Sequence, residues 1–209
     1  MSEYFLTTQL GIDEAGRGSI LGPLVMAGVV VNQETQKKLE TYGIKDSKLF
    51  GSSLKAKKIR GQLAKRICRI CPYKIITVAA DNVDFYVENQ SLNILEQEKA
   101  KTIISTLTAD QVILDGLNLF KLLVDEKTSA INKADQEFIS VAAASIIAKS
   151  ERDRLFEKLI EPYFVEYGEV KGGGYANRAT LKFVKWYLKN KKKLPPFYRK
   201  SYNWKYLQV

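Results

Sequence analysis

Two adjacent acids, Asp13 and Glu14, stand almost directly before the glycine-rich segment Gly16-Arg17-Gly18. Paired carboxylates repel each other and lose solvation when they are buried, and a divalent cation offsets both costs. Neighbouring side chains on a regular strand point to opposite faces, so both acids serve one site only at a strand end, or through a backbone carbonyl. The segment predicts part of a metal site beside backbone suited to a phosphate or sugar; a β-turn with solvated acids is the alternative.

Two further acids occupy positions typical of ligand sites. Asp115 follows the apolar run 112–114, and the strand ends of open α/β sheets form ligand sites. Asp135 precedes a predicted helix of small residues, whose positive N-terminal end favours an anion. On these residues alone, Asp115 is equally well a capping aspartate, and Asp135 a surface acid beside Lys133 and Glu137.

The composition narrows the chemistry available to these acids. The chain has no histidine and two cysteines, Cys68 and Cys71, so it offers neither a Cys/His set for zinc nor a histidine general base. The cysteines close a basic helical stretch before Pro72, whereas a redox pair usually follows a strand and opens a helix. We interpret them as incidental, which leaves carboxylates, lysines, tyrosines and metal ions.

The basic charge is concentrated at the C-terminus. The net charge is +10, and residues 182–209 hold nine basic side chains, no acidic ones and eight aromatic rings. Such a surface suits a polyanion with flat bases, through counterion release and stacking. The alternative is a solvated helix whose aromatic rings pack inward.

The order of predicted elements favours an α/β domain with a mixed central sheet. Predicted strands span 10–12, 24–31, 73–80 and 111–115; predicted helices span 33–39, 53–68, 91–107, 140–156 and 179–191. The segments 120–124 and 128–132 are ambiguous, and 163–175 is predicted to be a loop. We expect a catalytic domain over 1–160. Over 161–209 we expect a helical, basic and aromatic appendage that binds nucleic acid and packs on the same core.

The length and hydropathy pattern indicate how many domains to expect and whether the chain contacts a membrane. The chain has 209 residues, of which 45% are hydrophobic, enough for one domain with an appendage. It contains neither a long apolar run nor a charged and apolar leader, so a soluble cytoplasmic protein without membrane contact is expected.

Five ordered blocks of sequence resemble the type 2 ribonuclease H family, ribonuclease HII. They are GIDEAGRG with LGPLV after it from residue 11, KDSK at 45–48, LDG at 114–116, KAD at 133–135, and SVAAASIIAKSERD at 140–153. The likeness extends from about residue 10 to the segment 198–201. It implies an RNase H-like fold with a mixed five-stranded sheet flanked by helices.

The resemblance also implies the reaction and its metal ligands. Family members are endoribonucleases that cut the RNA strand of RNA/DNA hybrids and cut 5′ of ribonucleotides embedded in duplex DNA, leaving 3′-hydroxyl and 5′-phosphate ends. By this resemblance Asp13, Glu14, Asp115 and Asp135 hold two Mg²⁺ or Mn²⁺ ions, which activate water and stabilise the leaving oxygen. A monomer acting in DNA replication and ribonucleotide excision repair is expected.

The resemblance implies two groups of substrate-binding residues. The first reads the 2′-hydroxyl and sugar at the RNA–DNA junction, where glycine backbone approaches closely and only that hydroxyl distinguishes RNA from DNA: Gly16, Arg17, Gly18 and Tyr175. The second meets the nucleic-acid backbone, with solvated helix-face cations as the alternative: Lys48, Lys149 and Arg152.

Departures from the family pattern indicate the branch. Many bacterial members have Gly-Tyr-Gly-Thr followed by a histidine, whereas residues 172–180 read GGGYANRAT, closer to the archaeal and eukaryotic pattern. Two other classes of function remain open. A non-catalytic nucleic-acid binding module explains the basic tail but not the four acids, and another two-metal nuclease, such as a junction resolvase, explains the acids but not Gly16-Arg17-Gly18.

Overall fold

The computed structural model describes residues 7–44 and 53–205. Its strands are β1 (Gln9–Ala15), β2 (Leu24–Val31), β3 (Tyr73–Val78), β4 (Gln111–Asp115) and β5 (Thr128–Ile131). Its helices are α1 (Gln33–Thr41), α2 (Leu54–Ile70), α3 (Ala80–Asn89), α4 (Leu92–Thr106), α5 (Leu117–Phe120), α6 (Ala134–Glu137), α7 (Ile139–Ile160), α8 (Phe164–Tyr167) and α9 (Arg178–Lys191). None of these helices is long and apolar enough to cross a bilayer.

The strands form one five-stranded sheet in the order β3-β2-β1-β4-β5, which confirms the predicted mixed α/β sheet. β4 lies parallel to β1, with Ile12 opposite Leu114, and parallel to β5, with Asp115 opposite Ile131. The C-terminal ends of parallel strands meet at one edge of a sheet. Asp13, one residue beyond Ile12, therefore comes to the same edge as Asp115.

The described residues fall into two compact units that alternate along the chain. Among the described residues, the first comprises the ranges 7–15, 26–44, 53–76 and 96–150, and the second 16–25, 77–95 and 151–205. Apolar side chains of β1, β2, β4 and α4 form the core of the first unit, whereas aromatic rings from α7, α9 and the segment after α9 dominate the second. The domain boundary at residue 160 stays a prediction.

Local sequence explains most element boundaries. Ser53 caps α2, because its hydroxyl accepts the Ala56 N–H at 3.1 Å. The strand predicted over 73–80 ends instead at Val78, and α3, which was not predicted, begins at Ala80. Its first residues have no side-chain cap hydrogen bond, so the usual start signal is missing. The loop predicted over 163–175 also contains α8.

Small residues let β1 and α7 pack backbone against backbone. A Cβ atom at Gly11 would lie 2.2 Å from both the carbonyl carbon of Ser140 and the nitrogen of Val141. Residues 141–148 of α7 are all buried, so this part of the helix has no exposed side. The strand that carries Asp13 is therefore held tightly against α7.

Replacing Gly11 by alanine is expected to lower the free energy of unfolding by about 3 kcal/mol or more, because neither backbone can yield to the new methyl group. Gly61→Ala is the matched control, since its Cβ would meet only the Ser150 hydroxyl at 3.8 Å. That change inside α2 is expected to stabilise the protein by about 0.5–1 kcal/mol. Urea unfolding measures both; equal effects would contradict the packing argument.

Candidate functional site

Three of the four predicted acids converge at the sheet edge. Asp13 comes from β1, Asp115 ends β4, and Asp135 lies in α6 just after β5. One carboxylate oxygen from each lies within 4.8 Å of those of the other two. Asp13 and Asp135 are only 6% and 2% exposed. We call these three residues the acid triad.

Backbone hydrogen bonds orient the acid triad. The Glu14 N–H donates to Asp13 Oδ1 at 2.8 Å, and the Ala134 N–H donates to Asp115 Oδ1 at 3.1 Å. The second bond ties the end of β4 to the segment that carries Asp135. Lys133, directly before α6, has a left-handed backbone with φ of 59°, which turns the chain sharply between β5 and Asp135.

Helix α7 supplies a cation and a hydroxyl to Asp13. Lys149 Nζ donates to Ser145 Oγ at 2.6 Å. Burial raises the pKa of Asp13 to about 6, although the Lys149 charge and the hydrogen bond from Ser145 lower it, and the Asp115 charge raises it further. Ser145 was not among the predicted site residues. The sequence could have indicated it, because Ser145 lies four residues before Lys149 on a predicted helix. Residues at this spacing share one face of a helix.

The donor set of the acid triad fits a divalent metal ion. Carboxylate oxygens are the hard ligands that Mg²⁺, Mn²⁺ and Ca²⁺ prefer. Two buried acids and one half-buried acid this close together repel one another, and a divalent charge would relieve that repulsion. The Glu14 carboxylate is not part of this cluster, in keeping with the alternation of side chains along a strand.

The glycine loop, residues Gly16–Gly22, begins directly after β1. The Gly16 N–H donates to the Tyr175 hydroxyl at 3.1 Å, and Ser19 forms an isolated β-bridge with Tyr175. Gly16 has a φ of 86°, which strongly favours glycine. The structure thus brings together two of the residues predicted to read the sugar. Tyr175 is 42% exposed, so part of its ring faces solvent.

Arg152 has a different role from the predicted contact with the nucleic-acid backbone. It is only 2% exposed, and its Nη2 donates to the Leu21 carbonyl at 2.9 Å. Its guanidinium lies 5.1 Å from the Tyr175 ring centre and 5.0 Å from that of Phe156. A buried guanidinium cannot reach a duplex, so Arg152 supports Tyr175 from the interior.

The other residues predicted to bind substrate lie in different surroundings. Arg17 Nη2 donates to Asn93 Oδ1 at 2.7 Å, and Gly18 is exposed. Lys149 is half-buried and bonded to Ser145, which makes it a partner of the acids. Lys48 lies outside the described residues.

Helix α9 separates its apolar and basic faces. Its buried side chains pack into the aromatic core of the second unit, where for example the rings of Phe183 and Phe197 are stacked. Its opposite side presents exposed cations at helical spacing, here called the basic stripe: Arg178, Lys182, Lys185 and Lys189. The interpretation that the rings pack inward therefore holds for α9, whose cations face solvent. Contact of these cations with a polyanion stays a prediction.

An acid triad at the edge of parallel strands fits a metal-dependent nuclease of RNase H-like fold, and similarity to known proteins identifies the family. A ribonuclease HII family model matches residues 10–205. Ribonuclease HII of Methanobrevibacter smithii is 34% identical, over 92% of this chain and 94% of the relative. The chain belongs to the ribonuclease HII family and is an endonuclease that hydrolyses RNA in RNA/DNA hybrids.

Solved structures agree with this assignment. Ribonuclease H2 of Pyrococcus horikoshii matches with a TM-score of 0.80 and 29% identity, over 96% of this chain and 95% of that one. RNase HII of Archaeoglobus fulgidus, solved as a complex with PCNA, matches with a TM-score of 0.77 and 32% identity, over 92% and 94%. These relatives are archaeal, which is consistent with the archaeal and eukaryotic pattern predicted from residues 172–180.

Asp13→Asn is expected to raise the melting temperature of the metal-free protein at pH 7.5, because it removes a buried charge that repels Asp115. Each kcal/mol of relief corresponds to about 2–4 °C in a chain of this size. The same variant is expected to lose most of the melting-temperature increase that Mn²⁺ produces in the unaltered protein. Scanning calorimetry with EDTA or Mn²⁺ measures both effects.

Asp125→Asn is the control for this comparison. The backbone N–H groups of Lys127 and Thr128 donate to the exposed Asp125 carboxylate and lower its pKa. Its neutralisation is therefore expected to leave the Mn²⁺ response intact without raising the melting temperature. A rise in both variants, or an unchanged Mn²⁺ response in Asp13→Asn, would count against a metal site at the acid triad.

Proposed function

We propose that the acid triad holds two Mg²⁺ or Mn²⁺ ions and that the protein cuts 5′ of a ribonucleotide, in hybrids and in duplex DNA. The single observation that carries this proposal is the approach of three carboxylate oxygens to within 4.8 Å of one another. When bound, such a pair of ions activates water and stabilises the leaving 3′ oxygen. The products would carry 3′-hydroxyl and 5′-phosphate ends.

The chain's own residues prepare the acids for this role. Ser145 and Lys149 stabilise the charged form of Asp13 and so offset part of the cost of its burial. The Ala134 N–H holds the Asp115 carboxylate in place. Glu14, whose carboxylate lies outside the acid triad, would contribute its backbone carbonyl at the end of β1.

The glycine loop and Tyr175 would select the nucleotide. A 2′-hydroxyl both donates and accepts hydrogen bonds, and it distinguishes RNA from DNA. Exposed peptide groups at Gly18 and the partly exposed Tyr175 can meet it, since no side chain at Gly18 blocks the approach. Gly16 follows Ala15, the end of β1, so the glycine loop lies close to Asp13 in sequence.

The basic stripe would hold the duplex through its phosphates. Its four cations span about 16 Å along α9 at the rise of an α-helix. Phosphate contacts of this kind position a duplex without reading its sequence. Action as a monomer, in the cytoplasm, in ribonucleotide excision repair and DNA replication stays a prediction from the sequence.

Incubation with Mg²⁺ or Mn²⁺ and a DNA duplex carrying one ribonucleotide is expected to give one cut, directly 5′ of that ribonucleotide, mapped on a denaturing gel. Asp115→Asn is expected to lower the rate about a hundredfold or more, whereas the Asp125→Asn control is not. Binding without cleavage would favour a non-catalytic module. Preferential cutting of an all-DNA four-way junction would favour a resolvase.

Neutralising the basic stripe is expected to weaken duplex binding independently of sequence. The combined change of Lys182, Lys185 and Lys189 to glutamine, made in the Asp115→Asn background to prevent cleavage, removes three exposed cations. The slope of log K against log salt is expected to become shallower by about 0.9 for each phosphate that the variant no longer neutralises. Fluorescence anisotropy over a salt series measures this slope.

The control removes the same charge from another surface. Lys37, Lys101 and Lys127 are exposed lysines of the first unit, and their change to glutamine alters the net charge by the same amount. This control is expected to change the slope far less. Equal slopes for the two triple variants would show that only net charge matters and would rule out the basic stripe as a contact surface.

A further inference from the structure

Buried donors from the segment after α9 hold the backbone of the glycine loop. Arg199 is fully buried, and its Nε donates to the Gly22 carbonyl at 3.1 Å while its Nη1 donates to the Arg17 carbonyl at 3.0 Å. The Tyr202 hydroxyl donates to the same Arg17 carbonyl at 2.6 Å and accepts from Arg199 Nη1 at 3.1 Å. One carbonyl thus receives two hydrogen bonds.

These two donors determine how the peptide group between Arg17 and Gly18 is oriented. A trans peptide group is planar, so the Gly18 N–H points away from the Arg17 oxygen. With that oxygen bonded to Arg199 and Tyr202, the N–H is directed away from these donors. Gly18 itself is exposed, and its missing side chain leaves open space within 4 Å.

The segment that supplies these donors is itself anchored. The Asp84 carboxylate accepts the backbone N–H of Lys200 at 2.8 Å, and both the N–H and the hydroxyl of Ser201, at 3.0 and 2.6 Å. The Arg199 N–H also donates to the Ile20 carbonyl at 2.9 Å. The glycine loop is therefore bonded to a segment that has little freedom to move.

A guanidinium is a costly way merely to fill space at this position. Burial lowers the pKa of Arg199, while Tyr202 and Asp84 favour its charged form. An apolar side chain of similar size would pack without that desolvation cost. An apolar side chain could not donate hydrogen bonds to two carbonyls of the glycine loop. The geometry therefore favours a positioning role for Arg199.

We propose that Arg199 and Tyr202 are positioning residues for recognition of the 2′-hydroxyl, because they orient the Gly18 N–H toward the sugar. This inference rests on the proposed reading role of the glycine loop and Tyr175. The positioning role also predicts different effects on two kinds of substrate. A long hybrid offers a 2′-hydroxyl at every nucleotide of the cleaved strand, so a displaced loop still meets one, whereas a lone ribonucleotide offers a single hydroxyl.

Tyr202→Phe tests the proposal by removing one hydroxyl and leaving the ring. Its kcat on a duplex with one ribonucleotide is expected to fall about five- to tenfold, with KM within about twofold, because phosphate contacts still bind the duplex. Its kcat on a long RNA/DNA hybrid is expected to change by less than about twofold. The ratio of kcat on the single-ribonucleotide duplex to kcat on the hybrid, measured on one protein preparation, does not depend on the fraction of the protein that is folded.

Two further variants sharpen the result. Tyr167→Phe is the matched control: Tyr167 belongs to the aromatic core, where burial raises its pKa, and the ratio is expected to stay unchanged. Arg199→Lys keeps the charge but lacks the forked guanidinium that reaches two carbonyls. Like Tyr202→Phe, it is expected to lower the ratio of kcat on the single-ribonucleotide duplex to kcat on the hybrid.

The outcomes separate this inference from the function on which it rests. Equal losses on both substrates, a loss in KM alone, or no loss in Tyr202→Phe would overturn the positioning role. Tyr175→Phe is included as a reference for the reading role itself. If the unaltered protein fails to cut at a lone ribonucleotide, or Tyr175→Phe leaves the substrate ratio unchanged, the reading role fails and the positioning role fails with it.

Discussion

The burial of carboxylates that lie close together is the constraint that shapes the site of the first compact unit. Parallel pairing of β1 with β4 brings Asp13 and Asp115 to one edge of the sheet, and the left-handed turn at Lys133 precedes Asp135 in α6. At this edge burial raises the pKa of Asp13 to about 6, and the Asp115 charge raises it further. Lys149 and Ser145 offset part of the cost of burying this acid. A divalent cation bound at the acid triad would relieve the remaining repulsion.

The second unit is subject to a different constraint, because the glycine loop must be held in place while its backbone stays exposed. Glycines give close access to a sugar, but they bring no side chains to fix their own position. The structure supplies that order from outside the loop, through two buried arginines. Arg152 bonds to Leu21 and supports Tyr175, while Arg199 and Tyr202 hold Arg17 and Gly22.

Much of the fold could be predicted because its signals are local. The apolar strand 24–31, the Ser53 cap and the long helix of small residues each leave a pattern within a few residues of sequence. Helix α3 could not be predicted in this way, since no side chain caps its start. The short elements α5, β5 and α8 are likewise weak in sequence, because four residues hold too little periodicity to distinguish a helix from a strand.

The sequence by itself determined the inventory of the site: carboxylates without histidine, a glycine-rich segment after the first strand, and basic residues along α9. Their roles were decided by the tertiary structure, because convergence depends on strand register and burial on which faces pack together. Glu14 is adjacent to Asp13 yet its carboxylate lies outside the acid triad. Arg152 and Arg199 look like surface cations in the sequence, but packing encloses both and gives them carbonyls to hold.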